Sequence, residues 1–301
     1  KVSGWGGPRF PTIRGIRRRG MSIEAIQQFI LATGPSQQTI NAEWDSIWAM
    51  NKKVIDPIVP RYTALETNGL VTCTITPAPT AHEKAVPKHK KNLEMGTKTT
   101  VYDSTVYLEQ VDAQSFADNE ELTLMDWGNV YVRGKKLASD GKTIESLELE
   151  ANFEGDFTKT DKKVTWLAKS PTRPLTEVAL LEFDYLITKK KLEEDDAFAD
   201  FLTPKTEFSE DAVAASEVSE LAEGAILQFE RKGYYILDKV QGKGGRREFI
   251  KIPDGKAAGI ASKHATEVAK AAAASGAAAE KGGKSATDSK VSPKDLAAAG
   301  K

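Results

Sequence analysis

Cysteine and histidine are nearly absent: Cys73 is alone, and only His82, His89 and His264 carry imidazoles. A single cysteine forms no internal disulfide and supplies no thiolate cluster for zinc, which suits a reducing compartment and predicts a cytoplasmic protein. With so few histidines a metal site is not expected. No apolar run approaches the roughly 18 residues that a membrane-spanning helix needs, so no membrane partner is expected. Nucleotide-binding signatures are missing too. Gly242-Lys243-Gly244-Gly245-Arg246-Arg247 is glycine-rich and basic but lacks P-loop spacing, and it reads as a hairpin tip. Gly283-Lys284-Ser285 ends like a P-loop, yet Ala278 stands where the first glycine is required and no strand precedes it. There is no Ser/His/Asp or Cys/His constellation. Carboxylates cluster only over 192–223, where a solvated acidic face explains them better than paired acid–base chemistry. The sequence therefore offers no catalytic residues.

What it does have is enough apolar surface for real cores: 40% of its 301 residues are hydrophobic, sufficient for one large domain or two to three small ones. It opens on Lys1 with neither methionine nor a signal-peptide pattern and reads as a piece of a longer protein. The net charge of -1 hides a strong pattern. Residues 1–62 carry 9 basic against 4 acidic side chains, and residues 256–301 carry 8 against 4. Residues 192–223 hold 11 acids and one lysine, Lys205. A phosphate backbone attracts the first kind of surface and repels the last. The N-terminal part can therefore face a nucleic acid, and 192–223 should point away from it.

Residues 12–62 read as helical. Ser22 is a plausible N-cap with Glu24 in the first turn, and Ile23, Ile26 and Ile30 recur at the spacing of one buried face. Gly34-Pro35 ends that helix. A second one is predicted from about Ser36, with Ile40, Trp44, Ile47 and Trp48 on one side, stopped by Pro57 and Pro60. From about Thr63 the period becomes two. Segments such as Leu70–Thr76, Leu122–Met125, Leu147–Glu150, Val178–Phe183 and Tyr234–Leu237 read as short strands joined by turns, which argues for antiparallel barrels. After Gly255 the chain is Ala, Gly, Ser and Lys with almost no large apolar residue, a composition that predicts a flexible basic tail.

Three features carry candidate contacts. Arg14, Arg17, Arg18 and Arg19 crowd a short turn between Gly15 and Gly20. Several guanidinium groups presented together suit a phosphate backbone, although one or two could instead serve in interdomain salt bridges. Arg61 follows Val59-Pro60 at the change from helix to strand. A rigid junction fixes an arginine well enough to read a base edge, and a structural salt bridge is the alternative. Trp127, between a strand and a turn, could stack on an unpaired base or belong to a core. Trp44 and Trp48, one helical turn apart, read as core.

Two runs, Gly4-Trp5-Gly6-Gly7-Pro8-Arg9-Phe10 continuing to Met21 and Glu43-Trp44-Asp45-Ser46-Ile47-Trp48 continuing to Arg61, resemble the segment of eukaryotic-type glutamyl-tRNA synthetases that links catalytic and anticodon-binding parts. Asn92-Leu93-Glu94-Met95-Gly96, Leu124–Asn129 and Gln228–Tyr235 continue the likeness over about 1–240. The resemblance implies an α+β multidomain chain. Its parts would be a helical stem-contact domain over 1–62, a proximal β-barrel from 63–116 and 222–255, and a distal barrel over 117–190. An acidic connector over 191–221 and a tail over 256–301 complete it. It implies tRNA binding through Arg9, Arg14, Arg17, Arg18, Arg61 and Trp127, with Arg61 matching an arginine that meets the central anticodon base in related glutaminyl enzymes. It also implies glutamate-specific tRNA as partner, and other synthetase-complex proteins as further partners. The family's HIGH and KMSKS-type motifs are absent from the sequence. Glutamate activation with ATP and Mg is thus expected of the parent enzyme, and this chain alone is expected to be inactive. Family members usually carry two aspartates where Gly6-Gly7 stand, so that loop is expected to be looser.

If the tail docks partner proteins, deleting 256–301 should abolish their recovery in a pull-down and spare anticodon discrimination. A deletion that only flattens the salt dependence of RNA binding would mark the tail as a nonspecific RNA contact.

Overall fold

The computed structural model describes residues 4–35, 37, 42–189 and 192–255. Helices α1 (Ile13–Arg18), α2 (Ile23–Thr33) and α3 (Trp44–Ile55) come first. Of the sixteen short strands among the described residues fifteen lie after Tyr62, interrupted by one further α-helix, α4 (Gln110–Ser115). No described helix is long and apolar enough to cross a membrane. Ser22 caps α2 by accepting from the Ala25 N–H (3.1 Å), and Gly34, at φ 71°, ends it. The predicted start of α3 near Ser36 is corrected to Trp44, behind Glu43 as N-cap; Ile40 lies outside the described residues, as does the tail.

The predicted buried face of α2 is rotated. Ala25 is fully buried and Ile26 and Phe29 pack against the core, whereas Ile23 and Ile30 are 57% and 59% exposed. The entry to the helix sets this. Asn51 of α3, fully buried, accepts from the Ser22 N–H (2.9 Å) and donates to the Gly20 carbonyl (3.1 Å). Gly20 has φ 95°, and a Cβ there would meet Ile252 at 2.4 Å, so only glycine fits. With the turn held that closely, the small Ala25 faces inward.

Two seven-stranded sheets follow. The first runs Arg61–Tyr62, Ile226–Phe229, Gly233–Lys239, Arg247–Ile252, Thr176–Phe183, Glu207–Ala214, Ala64–Glu66. Its first and last strands are the two halves of one segment kinked at Thr63, so the sheet curls until its ends meet. The second runs Lys163–Val164, Glu121–Leu124, Gly128–Leu137, Ile144–Asn152, Val71–Thr76, Thr105–Leu108, Leu167–Ala168, and also begins and ends on one kinked segment. A two-stranded hairpin, His82–Pro87 with Thr97–Tyr102, stands apart. Both sheets are mixed rather than antiparallel. Parallel pairing joins Thr176–Phe183 to Arg247–Ile252, and Val71–Thr76 to Ile144–Asn152.

The expected boundaries are corrected accordingly. Residues 71–76 and 105–108, assigned to the first barrel, hydrogen-bond within the second sheet. Residues 176–183, assigned to the second, lie in the first sheet, and the supposed acidic connector contributes its strand Glu207–Ala214. A period of two marks a strand but says nothing about its partner.

Burial explains the two kinds of strand pattern. The second sheet buries one face, so Val71, Cys73 and Ile75 alternate with the half-buried Thr72 and the exposed Thr74 and Thr76. Cys73 is fully buried, and burial pushes its thiol up to about 12. The first sheet buries both faces. Tyr234, Ile236, Ile250 and Ile252 pack against α1–α3, while Tyr235, Leu237, Phe229 and Phe249 fill the interior, which is why Tyr234-Tyr235-Ile236-Leu237 is continuously apolar.

The sheets are joined at the turn Glu230–Lys232. Arg231, at φ 65°, donates to both oxygens of Asp112 in α4 (2.5 and 2.7 Å). Lys232 bridges Glu66 (2.7 Å) and Glu109 (2.6 Å). Asp112→Ala removes the buried half of this two-point pair and leaves Arg231 to solvent, and is expected to lower unfolding free energy by about 1 kcal/mol. A shifted urea midpoint at unchanged slope would show it.

Candidate nucleic-acid interface

Thr12 starts α1, its hydroxyl accepting from the Gly15 N–H (3.0 Å). The arginines of this turn then divide by job. Arg18 grips Asp238 of the first sheet through Nε and Nη2, both at 2.7 Å. Arg19 turns inward beneath Trp48, 5.7 Å from the ring, and donates to the Phe183 carbonyl (2.5 Å). Burial leaves its Nε without a partner and pulls its pKa down to about 10. Arg9 lies over the Phe183 ring, donates to Thr206 (2.8 Å) and pairs with Glu207 (3.5 Å). Arg14 and Arg17, three residues apart on one helical face, are exposed and make no side-chain contact with another described residue. Of the six sequence candidates these two alone project freely; Arg9 and Arg18 fasten the helical part to the first sheet. The Gly4–Phe10 loop is held by its own turns, Gly7 N–H to Gly4 carbonyl (2.9 Å) and Phe10 N–H to Gly7 carbonyl (3.1 Å).

Arg61 sits at the helix-to-sheet junction with its backbone held on both sides. Its N–H donates to the Lys88 carbonyl (2.8 Å), and its carbonyl accepts from Lys98 Nζ (2.6 Å). The side chain makes one contact, Nη2 to Asp56 Oδ1 at 3.3 Å. Asp56 also accepts from the Tyr234 hydroxyl, and its carbonyl faces His89 Nε2 (3.1 Å). His89 is 2% exposed and its Nδ1 accepts from the Lys91 N–H (3.1 Å), so Nε2 carries the proton that meets Asp56. This imidazole pins the loop Lys88–Gly96 beside Arg61, and Asn92 adds a bond to the Pro57 carbonyl (2.9 Å).

Trp127 belongs to the edge of the second core. It occupies the turn between Glu121–Leu124 and Gly128–Leu137 and packs on Phe153 (4.9 Å), Trp166 (4.6 Å) and Tyr102 (5.1 Å). Its neighbour Asp126 pairs with Lys90 (2.6 Å), which draws this turn and the Lys88–Gly96 loop together. Sequence reasoning marked Asn92–Gly96 of that loop for its likeness but named no contact residue in the loop or its hairpin. Lys84 and Lys91 are exposed there without side-chain partners among the described residues, and the run Lys88-His89-Lys90-Lys91 was the available signal.

Residues 59–154 and 163–238 match two family models, each described as tRNA synthetases class I (E and Q), anti-codon binding domain. Residues 1–57 match the catalytic domain of the same synthetases. The chain belongs to the class I tRNA synthetases of the E and Q group. Among relatives of this synthetase chain, the probable cytoplasmic glutamate–tRNA ligase of Schizosaccharomyces pombe is 52% identical over 256 residues, 85% of the chain and 35% of that protein. The cytoplasmic glutamate–tRNA ligase of Saccharomyces cerevisiae is 48% identical over the same shares. The bifunctional glutamate/proline–tRNA ligase of Mus musculus is 38% identical over 79% of the chain and 16% of that protein. The chain thus spans about a third of the length of the first two.

The glycine-rich tip Gly242–Gly245 does not fit a nucleotide phosphate. There the Lys243 N–H that a phosphate would need already donates to Glu248 (2.8 Å), and a Cβ at Gly242 would meet Glu248 at 2.3 Å. Among the described residues no three His, Cys, Asp or Glu side chains could hold a metal.

The Asp56 carboxyl is held below the ordinary aspartate range, first by the Tyr234 hydroxyl and then, against its own desolvation, by the Arg61 and Lys52 charges. A depressed folded-state pKa contributes stability above the unfolded value and loses it as pH falls through the folded one. The stability difference between the protein and Asp56→Asn should therefore be largest at neutral pH. It should close below the aspartate range in urea titrations run against pH.

Proposed function

We propose that this chain is the tRNA-binding and anticodon-reading portion of a cytoplasmic glutamate–tRNA ligase, with adenylation by ATP and Mg performed by residues outside it. In this reading α1–α3 contact the tRNA stem. The first sheet is the proximal anticodon-binding barrel and the second, with its hairpin, the distal one. The observation that carries it is the sorting of cations: Arg14 and Arg17 project unpaired, while Arg61 is held at a junction clamped by Lys88 and Lys98. Unpaired guanidiniums suit phosphate, and a fixed one suits a base edge. The match to anti-codon binding models and the names of the relatives support the substrate. Trp127 serves this reading as a wall of the second core that steadies the lysine loop, not as a stacking platform. The bifunctional relatives favour association with other synthetases as a second property, carried by surfaces other than these.

Binding of glutamate tRNA, at two salt concentrations and beside the same tRNA with its anticodon replaced, tests the proposal. Weaker binding of the replaced tRNA at both concentrations is expected. Arg61→Ala should erase the difference, at about 1–3 kcal/mol for one base contact. Arg14→Ala and Arg17→Ala should weaken both tRNAs alike and lower the salt slope by about one each. No binding at either salt would overturn the proposal.

A further inference from the structure

Two arginines in this protein show what a settled ion pair looks like here. Arg18 and Arg231 each meet a carboxylate with two nitrogens on two oxygens, at 2.5–2.7 Å. Arg61 does not. It has a single 3.3 Å contact, and its Nε is buried without an acceptor. The oxygen it shares, Asp56 Oδ1, is the one that accepts from the Tyr234 hydroxyl. Tyr234 cannot give way easily: its ring is 4% exposed in the core beneath α3, with Lys52 Nζ 5.9 Å above it. Asp56 is fixed in turn through His89. The backbone of Arg61 is clamped while its guanidinium is left short of hydrogen bonds.

We propose that Tyr234 and Asp56 are positioning residues that hold Arg61 one step short of a complete salt bridge, so that its guanidinium stays available to an acceptor on a base of the bound RNA. The proposal rests on reading Arg61 as an anticodon contact. The tyrosine hydroxyl is what keeps the carboxylate from closing on the arginine. A carboxylate relieved of that donor would rotate to take Nε and Nη2 together, as Asp238 takes Arg18, because an orphaned buried N–H is costly. A base carbonyl or N7 would be met by the terminal guanidinium nitrogens, which a closed salt bridge would take from it, and not by the buried Nε.

The test is the ratio of affinities for glutamate tRNA and its anticodon-replaced form. Tyr234→Phe, which keeps the ring, should lower the ratio about fivefold, the size of one hydrogen bond. Adding Asp56→Asn to Tyr234→Phe removes the sequestering charge and should restore the ratio to within about twofold, although the double variant loses further stability. A merely structural pair would make the double variant no better than the single one, and that result, or an unchanged ratio in Tyr234→Phe, overturns the proposal. Arg61→Ala separates the two layers. If it abolishes the ratio while Tyr234→Phe leaves it intact, the reading of Arg61 stands and the positioning role falls. If Arg61→Ala leaves the ratio unchanged, both fall.

Discussion

Arg231 and Lys232 occupy a tight turn of the first sheet, yet their charges are neutralised across it, by Asp112 and Glu109 near α4 and by Glu66 on the kinked segment. The angle between the two sheets depends on this exchange. Each cation is partly withdrawn from water, and each acid that meets it is itself fixed: Glu109 accepts from the Glu66 N–H at 2.8 Å, and Asp112 lies within a helical turn. A bidentate guanidinium–carboxylate pair is directional, so it sets an orientation and not only a contact. Everything near Arg61 inherits that orientation, because Glu230, the residue before Arg231, faces Lys98, which in turn holds the Arg61 carbonyl.

The helical part shows a division of labour among like charges. Arginines that look equivalent along Arg14–Arg19 separate into two that hold the helix down, one by an ion pair and one beneath an indole, and two that leave the surface charged. Of the anchoring pair only Arg18 takes a carboxylate, Asp238, and no described acid pairs with Arg14 or Arg17, so their positive potential is not cancelled by an ion pair. The acids of 192–223 work in the same way. Asp196 answers Lys189 (2.5 Å), and Asp211 answers Arg246 across the strand edge. Much of what reads as opposed charge along the chain is thus spent on folding.

How much of this was readable beforehand follows the range of each interaction. The cap at Ser22, the stop at Gly34, the short strands and the hairpin tip at Gly242–Gly245 are local and were legible. The family was legible from the two N-terminal runs. Strand partnership was not, since Val71–Thr76 finds a parallel neighbour some seventy residues later, at Ile144–Asn152, and nothing in a period of two encodes that. The α2 face was misjudged because Asn51, a buried polar residue on another helix, decides its rotation. The roles of Arg9, Arg18 and Trp127 were hidden for the same reason: their partners Thr206, Asp238 and Phe153 are remote, in sequence or across a hairpin.

Each sheet begins and ends on one kinked segment, and this bears on how the protein behaves in a crowd. With a net charge of -1 the chain has little electrostatic repulsion between copies. Its strands are rich in valine, leucine and isoleucine, the composition that seeds intermolecular pairing when an edge lies open. Here the terminal strands are only two or three residues long, and the outer edge of Arg61 is already taken by the Lys88 carbonyl. Within these two sheets a neighbouring molecule finds no long ladder of free amides to extend, and the separate hairpin His82–Pro87 with Thr97–Tyr102 is where an open edge remains.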